Sequence, residues 1–167
     1  MYQEYTSADT SINSSKVPAV FSLVEFRSGT TNLDYGGGKF DTAAEALKEK
    51  GVRNLILDPY NRTRNHNDMV INVLERRKAD TATCSNVLNV IKEEDVRRDV
   101  LQNIALFVKR GGEVYITVYE GDGSGVGRPT AKGYQLNRKL EGYLKEIRQI
   151  FPDAIKRGKV IVAHNHA

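Results

Sequence analysis

Three consecutive glycines, Gly36, Gly37 and Gly38, constrain this chain more than any other feature. Asn32-Leu33-Asp34-Tyr35 runs into them, and Lys39-Phe40-Asp41 leads at once into a helical pattern over Thr42 to Lys50. A strand that passes through a tight glycine turn directly into a helix is the opening unit of an open α/β sheet. The crevice above such a turn is where these sheets bind ligands. Glycine serves there because the backbone must reach positive φ and approach the ligand closely, which a Cβ would oppose. A dinucleotide fingerprint needs glycine at the sixth position of the pattern, where this chain has Asp41. A carboxylate at the helix mouth repels a pyrophosphate and suits a helix cap instead. No Gly-Lys-Ser/Thr follows, so a phosphate-cradling P-loop is excluded as well. What is left is Asp34-x-Gly36-x-Gly38, an acid with spaced glycines, which suits a ligand with a cationic amino-acid end and no phosphate.

The rest of the chain alternates in the same manner. Residues 1–15 are polar and rich in Ser and Thr, and they read as a flexible N-terminal arm ahead of a single domain over 16–167. Val20, Leu23 and Val24 have helical spacing over Ala19 to Arg27, with Pro18 suited to a first turn. Val52 to Leu57 is a strand that ends in Asp58-Pro59-Tyr60, and Pro59 stops it. Asn61 to Asp68 reads as a polar loop whose His66 has no partner at metal-ligand spacing, and Met69 to Lys78 as a helix. Thr81 to Ser85 is the next strand, with Asn86 opening the turn after it. Glu93 to Arg110 is an amphipathic helix stopped by Gly111-Gly112, and Glu113 to Tyr119 alternates as a strand. A glycine-rich loop over 121–133, a last helix over Tyr134 to Phe151 and a strand over Lys159 to His164 complete the pattern. This order predicts an α/β fold, a three-layer α/β/α sandwich around a mostly parallel sheet.

The Asp34-x-Gly36-x-Gly38 turn resembles motif I of class I S-adenosylmethionine-dependent methyltransferases. Asp58, an acid at the tip of the next strand, is the second match. The likeness spans roughly residues 30–164. A looser one joins Asp34-Tyr35-Gly36, Asp58-Pro59 and the run Asn86-Val87-Leu88-Asn89-Val90-Ile91 to small methyltransferases associated with DNA phosphorothioation and phages. The resemblance implies a Rossmann-like sheet and S-adenosyl-L-methionine as cofactor. It assigns to cofactor binding Asp34, Tyr35, Gly36, Gly37, Gly38, Phe40, Asp58, Pro59, Tyr60, Asp80, Ser85, Asn86 and Val87. Asp58 would accept from the ribose hydroxyls and Tyr60 would lie against the adenine. No third strand with its own acid is found between Asp58 and Asp80, so Asp80 or Thr81 would serve the adenine amino group. The family's last antiparallel strand pair looks truncated to one strand. The strand tip after Ser85 faces the transferred methyl, which makes Asn86 and Asn89 the expected catalytic pair, aligning an acceptor rather than removing its proton. An equal reading makes Asn86 a turn residue bonded to its own backbone.

The acceptor stays open. Enzymes of the family that methylate exocyclic base nitrogens carry Asp/Asn/Ser-Pro-Pro-aromatic where this chain has Ser85-Asn86-Val87-Leu88. Methylation of a base carbon needs a Pro-Cys nucleophile, whereas Cys84 follows Thr83 and should point into the sheet as a small apolar group. The net charge of +4, from 25 basic and 21 acidic residues interleaved along the chain, permits a nucleic-acid partner without demanding one. A single cysteine excludes an internal disulfide and a cysteine-built zinc site, and no metal is expected. No apolar run reaches the roughly 18 residues of a membrane span, and no leader pattern opens the sequence. The expectation is a cytoplasmic monomer or homodimer with no membrane partner. Its function reads as an S-adenosylmethionine-dependent methyltransferase acting on a nucleic acid or a small molecule. The alternatives are an enzyme that degrades the cofactor by lysis or hydrolysis, or a non-catalytic cofactor-binding protein.

Overall fold

The computed structural model describes residues 2–8 and 15–167. Its elements in chain order are α1 (Val20–Leu23), β1 (Thr31–Tyr35), α2 (Thr42–Glu49), β2 (Arg53–Leu57), α3 (Arg64–Arg76), β3 (Ala79–Ser85), α4 (Glu94–Phe107) and β4 (Val108–Thr117). A hairpin of β5 (Gly127–Thr130) and β6 (Gly133–Leu136) follows, then α5 (Leu144–Arg148), β7 (Ile155–Arg157) and β8 (Val160–His164). The main sheet has six strands in the order β2-β1-β3-β4-β8-β7. The first four are mutually parallel, while β8 runs antiparallel to β4 and β7 antiparallel to β8. This is a three-layer α/β/α sandwich with a mostly parallel sheet.

Strand alternation sends neighbouring side chains to opposite layers. Leu33 and Tyr35 of β1 pack with Val70 and Leu74 of α3, Leu101 and Ile104 of α4 and Ile147 of α5. On the other face Val20 and Phe21 of α1 and Ala43 and Leu47 of α2 cover Tyr115 and Val162. Burying each of the larger side chains contributes about 1.5–3 kcal/mol. Beneath α2 the sheet is polar. Asn32 Nδ2 donates to Asn54 Oδ1 (2.8 Å) and to Thr83 Oγ1 (3.0 Å), and Thr81 Oγ1 donates to Asn32 Oδ1 at 2.8 Å. Among the described residues, no helix is long and apolar enough to cross a membrane.

Several boundaries differ from the sequence reading, each for a local reason. The stretch read as a polar loop, Asn61 to Asp68, contains the first turn of α3, because Thr63 Oγ1 accepts from His66 N at 3.2 Å and caps the helix. Its polarity has a use: β2 is an edge strand. Its outward backbone groups are met by α3, through a 2.7 Å contact of His66 Nε2 with Ile56 O and hydrogen bonds of the Asn67 amide with Asp58 N and O. The helix placed at Tyr134 to Phe151 begins later. Gly133–Leu136 pairs instead with Gly127–Thr130, and a 3-10 turn at Leu140–Tyr143 precedes α5. The helix after Glu93 ends at Phe107, and β4 starts at Val108, passing Gly111 at φ 80°. The last antiparallel pair is complete, since β7 joins β8. Of the arm drawn over residues 1–15, residues 1 and 9–14 lie outside the described residues. Residues 2–8 pack on the body, with the Tyr5 ring stacked on Tyr134 at 5.5 Å.

Candidate functional site

The glycine turn connects β1 to α2 and carries φ 73° at Gly36 and 83° at Gly38. Gly36 N donates to Leu57 O at 2.8 Å, which holds the turn against the end of β2. A Cβ on Gly36 would stand 2.5 Å from Val87 Cγ2, and one on Gly37 would stand 2.5 Å from Asp34 Oδ2. The bare backbone here is therefore required on both sides. One carboxylate locks the neighbouring loop to it. Asp58 Oδ2 accepts from Gly38 N at 2.9 Å, and Oδ1 accepts from the amides of Tyr60 and Asn61 at 3.0 Å each. The Asn61 side-chain amide sits across both oxygens, at 3.2 and 3.1 Å. Arg62 fastens the far side of the turn, with Nε on Gly38 O and an ion pair of 2.7 Å to Asp41.

Above these tips, at the carboxyl ends of β1, β2 and β3, opens a cleft of about 590 Å³. Asp34 forms part of its floor and is 2% exposed. Burial pushes its carboxyl up to about 6, although hydrogen bonds from Asn54 Nδ2 (3.3 Å) and Thr83 Oγ1 (3.0 Å) pull the other way. The Tyr35 phenol is likewise raised, mainly by burial. Burial also pushes the Cys84 thiol up; it is fully enclosed in the sheet, as a small apolar group would be.

Most residues assigned to the site from sequence come together in this cleft. Asp34, Tyr35, Gly36, Gly37, Gly38, Phe40, Asp58, Pro59, Tyr60, Ser85, Asn86 and Val87 all line it. Asn86 has φ 58°, the left-handed region that asparagine tolerates better than most residues. Its backbone N donates to Thr117 O at 2.9 Å. Two assignments need correction. Asp80 lies near the amino end of β3, a strand's length from the cleft, where Oδ2 accepts from Thr31 N (2.8 Å) and Oδ1 pairs with Lys109 (2.9 Å). Asn89 is fully buried in the 3-10 turn Leu88–Val90 and does not line the cleft; its Nδ2 donates to Gln135 Oε1 at 3.0 Å. Others line the cleft that sequence reasoning missed: Gln3, Ser7 and Lys16 from the N-terminal segment, Tyr119 after β4, and Val96, Asp99, Val100 and Asn103 on α4. The last four carried a signal, since their i, i+3, i+4, i+7 spacing puts two polar residues beside an apolar stripe.

No protein-family model matches the sequence, and no curated protein does. Solved structures do match. The 1,6-didemethyltoxoflavin-N1-methyltransferase of Burkholderia thailandensis, with bound 1,6-didemethyltoxoflavin and S-adenosylhomocysteine, aligns over 84% of this chain and 72% of its own, with a TM-score of 0.61 and 18% identity. PigF with S-adenosylhomocysteine aligns over 89% and 53%, with 0.59 and 15%. An O-methyltransferase family protein from Burkholderia thailandensis aligns over 83% and 51%, with 0.52 and 18%. This is the fold of the class I S-adenosylmethionine-dependent methyltransferases. In this chain β2 is the sheet edge, with no further strand beyond it among the described residues.

Proposed function

We propose that this protein is an S-adenosylmethionine-dependent methyltransferase. The observation that carries the reading is the cradle at the tips of β1 and β2, where Gly36 and Gly37 leave space that a Cβ would fill and Asp58 fixes the turn. Fold likeness supports it, because the matched toxoflavin enzyme and PigF are each seen with S-adenosylhomocysteine. Bound in the cleft, the cofactor supplies a methyl on a sulfonium, and the protein's main task is to align a nucleophile with it.

The chain's own residues divide that task. Asp34, buried at the turn, is the negative group for the cationic amino-acid end. Asp58 is the partner for the ribose hydroxyls, which would take the place of the Asn61 amide on its two oxygens. Asn86, at the tip of β3, presents an amide oxygen that can accept from an incoming amine or hydroxyl and hold its lone pair toward the methyl. An amide cannot take a proton away, so this is alignment. The cofactor would supply the methyl with its sulfur as the leaving group, and Asn86 would orient the acceptor toward it. The finer likeness to enzymes of DNA phosphorothioation and phages rests on the run from Asn86 to Ile91 together with Asp34-Tyr35-Gly36 and Asp58-Pro59; either a small molecule or a nucleic acid is open as acceptor.

Titration calorimetry with S-adenosylmethionine and S-adenosylhomocysteine tests the reading. Binding of both at one site per chain is expected, with no breakdown of the cofactor when no acceptor is present. Absence of binding by the folded protein overturns it, and rapid acceptor-independent breakdown would assign cofactor degradation instead.

A further inference from the structure

An adenine base needs apolar walls for its faces and an acceptor for its exocyclic amino group. Asp80 does not provide that acceptor, because it faces Thr31 and Lys109 at the opposite end of β3. Among the described residues no strand beyond β2 carries another acid, since β2 is the edge of the sheet. Asp34 and Asp58 line the cleft, but the cofactor reading gives them to the amino-acid end and the ribose. That leaves one carboxylate in the cleft without a hydrogen bond or ion pair to any described residue: Asp99, half-buried on α4.

The surroundings of Asp99 fit a base. Val96 and Val100, both nearly buried, flank it on the same face of the helix and line the cleft. Asn103 follows one turn later, a spacing that puts the two side chains side by side. Its Nδ2 donates to Tyr35 OH at 3.3 Å, which leaves Oδ1 as an acceptor. We infer that the purine lies against Val96 and Val100 and that Asp99, helped by Asn103, accepts from its exocyclic amino group. This rests on the cofactor reading above, which places the amino-acid end at the glycine turn and the ribose at Asp58. A helical acid thereby does the work for which a strand-end acid is missing. A hydrogen bond from an amino group to a carboxylate is charge-assisted, and it strengthens in an apolar slot.

The test exchanges the amino group for an oxo group, comparing S-adenosylhomocysteine with S-inosylhomocysteine by calorimetry on the whole chain. The unaltered protein is expected to favour the adenine ligand by about tenfold or more. Asp99→Ala should weaken the adenine ligand about tenfold and leave the hypoxanthine ligand within about twofold, so that the preference disappears. Asp99→Asn, whose amide can turn either to accept from the amino group or to donate to the oxo group, should narrow it to within about twofold. Thermal unfolding confirms that both variants are folded, as a half-buried helical residue with no partner among the described residues should allow. If S-adenosylhomocysteine binds and both variants keep the original preference, Asp99 does not read the base and the methyltransferase reading stands. If the unaltered protein binds neither ligand, that reading falls and this inference falls with it.

Discussion

At Gly36 two constraints coincide: a φ of 73°, and a gap so narrow that a Cβ would meet Val87 Cγ2 at 2.5 Å. A β-branched residue suffers from both, at a cost of about 1–3 kcal/mol for the backbone alone. Gly36→Val should therefore lower the melting temperature by several degrees and remove S-adenosylhomocysteine binding; a folded variant with unchanged affinity in calorimetry would show that the turn does not cradle the ligand. Asp34 allows a prediction of opposite character. Its folded-state carboxyl, pushed up to about 6 by burial, takes a proton more readily than the ordinary value of 3.8 allows. The folded state thus binds more protons than the unfolded one between these values, so this group's contribution to stability falls as pH rises through that window. At neutral pH burying the charge costs on the order of 3 kcal/mol. Asp80 and Glu146, held low by ion pairs, act in the opposite direction. The comparison is therefore with Asp34→Asn: the variant should gain stability relative to the parent between pH 4 and pH 7 in urea unfolding, and a constant difference would rule the buried charge out.

At the scale of elements, the floor of the cleft depends on α4 holding its place. Arg97, 3% exposed, reaches from α4 to Glu146 of α5 at 2.8 and 2.7 Å and to the carbonyls of Ile91 and Lys92 at 2.8 and 3.0 Å. Arg138 adds a second cation on the same Glu146 oxygen at 2.9 Å. Removing the carboxylate leaves Arg97 buried and uncompensated, so Glu146→Ala should cost about 3–5 kcal/mol in urea unfolding, with Glu146→Gln losing less. A loss below 1 kcal/mol would mean that the arginine relaxes to solvent. Legibility in the sequence divides along the same line. The turn at Gly36–Gly38 and the acid at Asp58 have causes within a few residues, and they are readable as written. Asp80 misleads because an acid before a strand and an acid after it look alike until the strand's direction and neighbours are known. Arg97, Asp99 and Glu146 are hidden in amphipathic stretches, where a charged residue is usually solvated. The β5–β6 hairpin was obscured by Tyr134, which precedes a true helical repeat at Leu140, Tyr143, Leu144 and Ile147 and made the two appear continuous.

Across the whole molecule, the described N-terminal residues join parts of the site that the sheet keeps separate. Gln3 Oε1 accepts from Tyr60 OH at 2.9 Å on the β2 side, and Ser7 Oγ accepts from Asn61 Nδ2 at 3.4 Å. On the other side Glu4 N donates to Glu93 Oε2 at 3.0 Å, Glu4 pairs with Lys92, and the Tyr5 ring stacks on Tyr134 of the hairpin at 5.5 Å and 17°. Gln3 and Ser7 line the cleft themselves, so a ligand seated over Asp58 lies under this segment. An aromatic pair contributes about 0.5–1.5 kcal/mol beyond its buried area, which is enough to set how often the segment lifts but too little to decide whether the domain folds. Tyr5→Ala should accordingly leave the unfolding midpoint almost unchanged and speed the release of S-adenosylhomocysteine about three- to tenfold in stopped-flow dilution, with a smaller change in the association rate. Tyr5→Phe, which keeps the stack, should restore slow release. Equal release rates for all three proteins would show that the segment rests on the surface without covering the ligand, whereas a selective effect of Tyr5→Ala on release would make it the gate of the cleft.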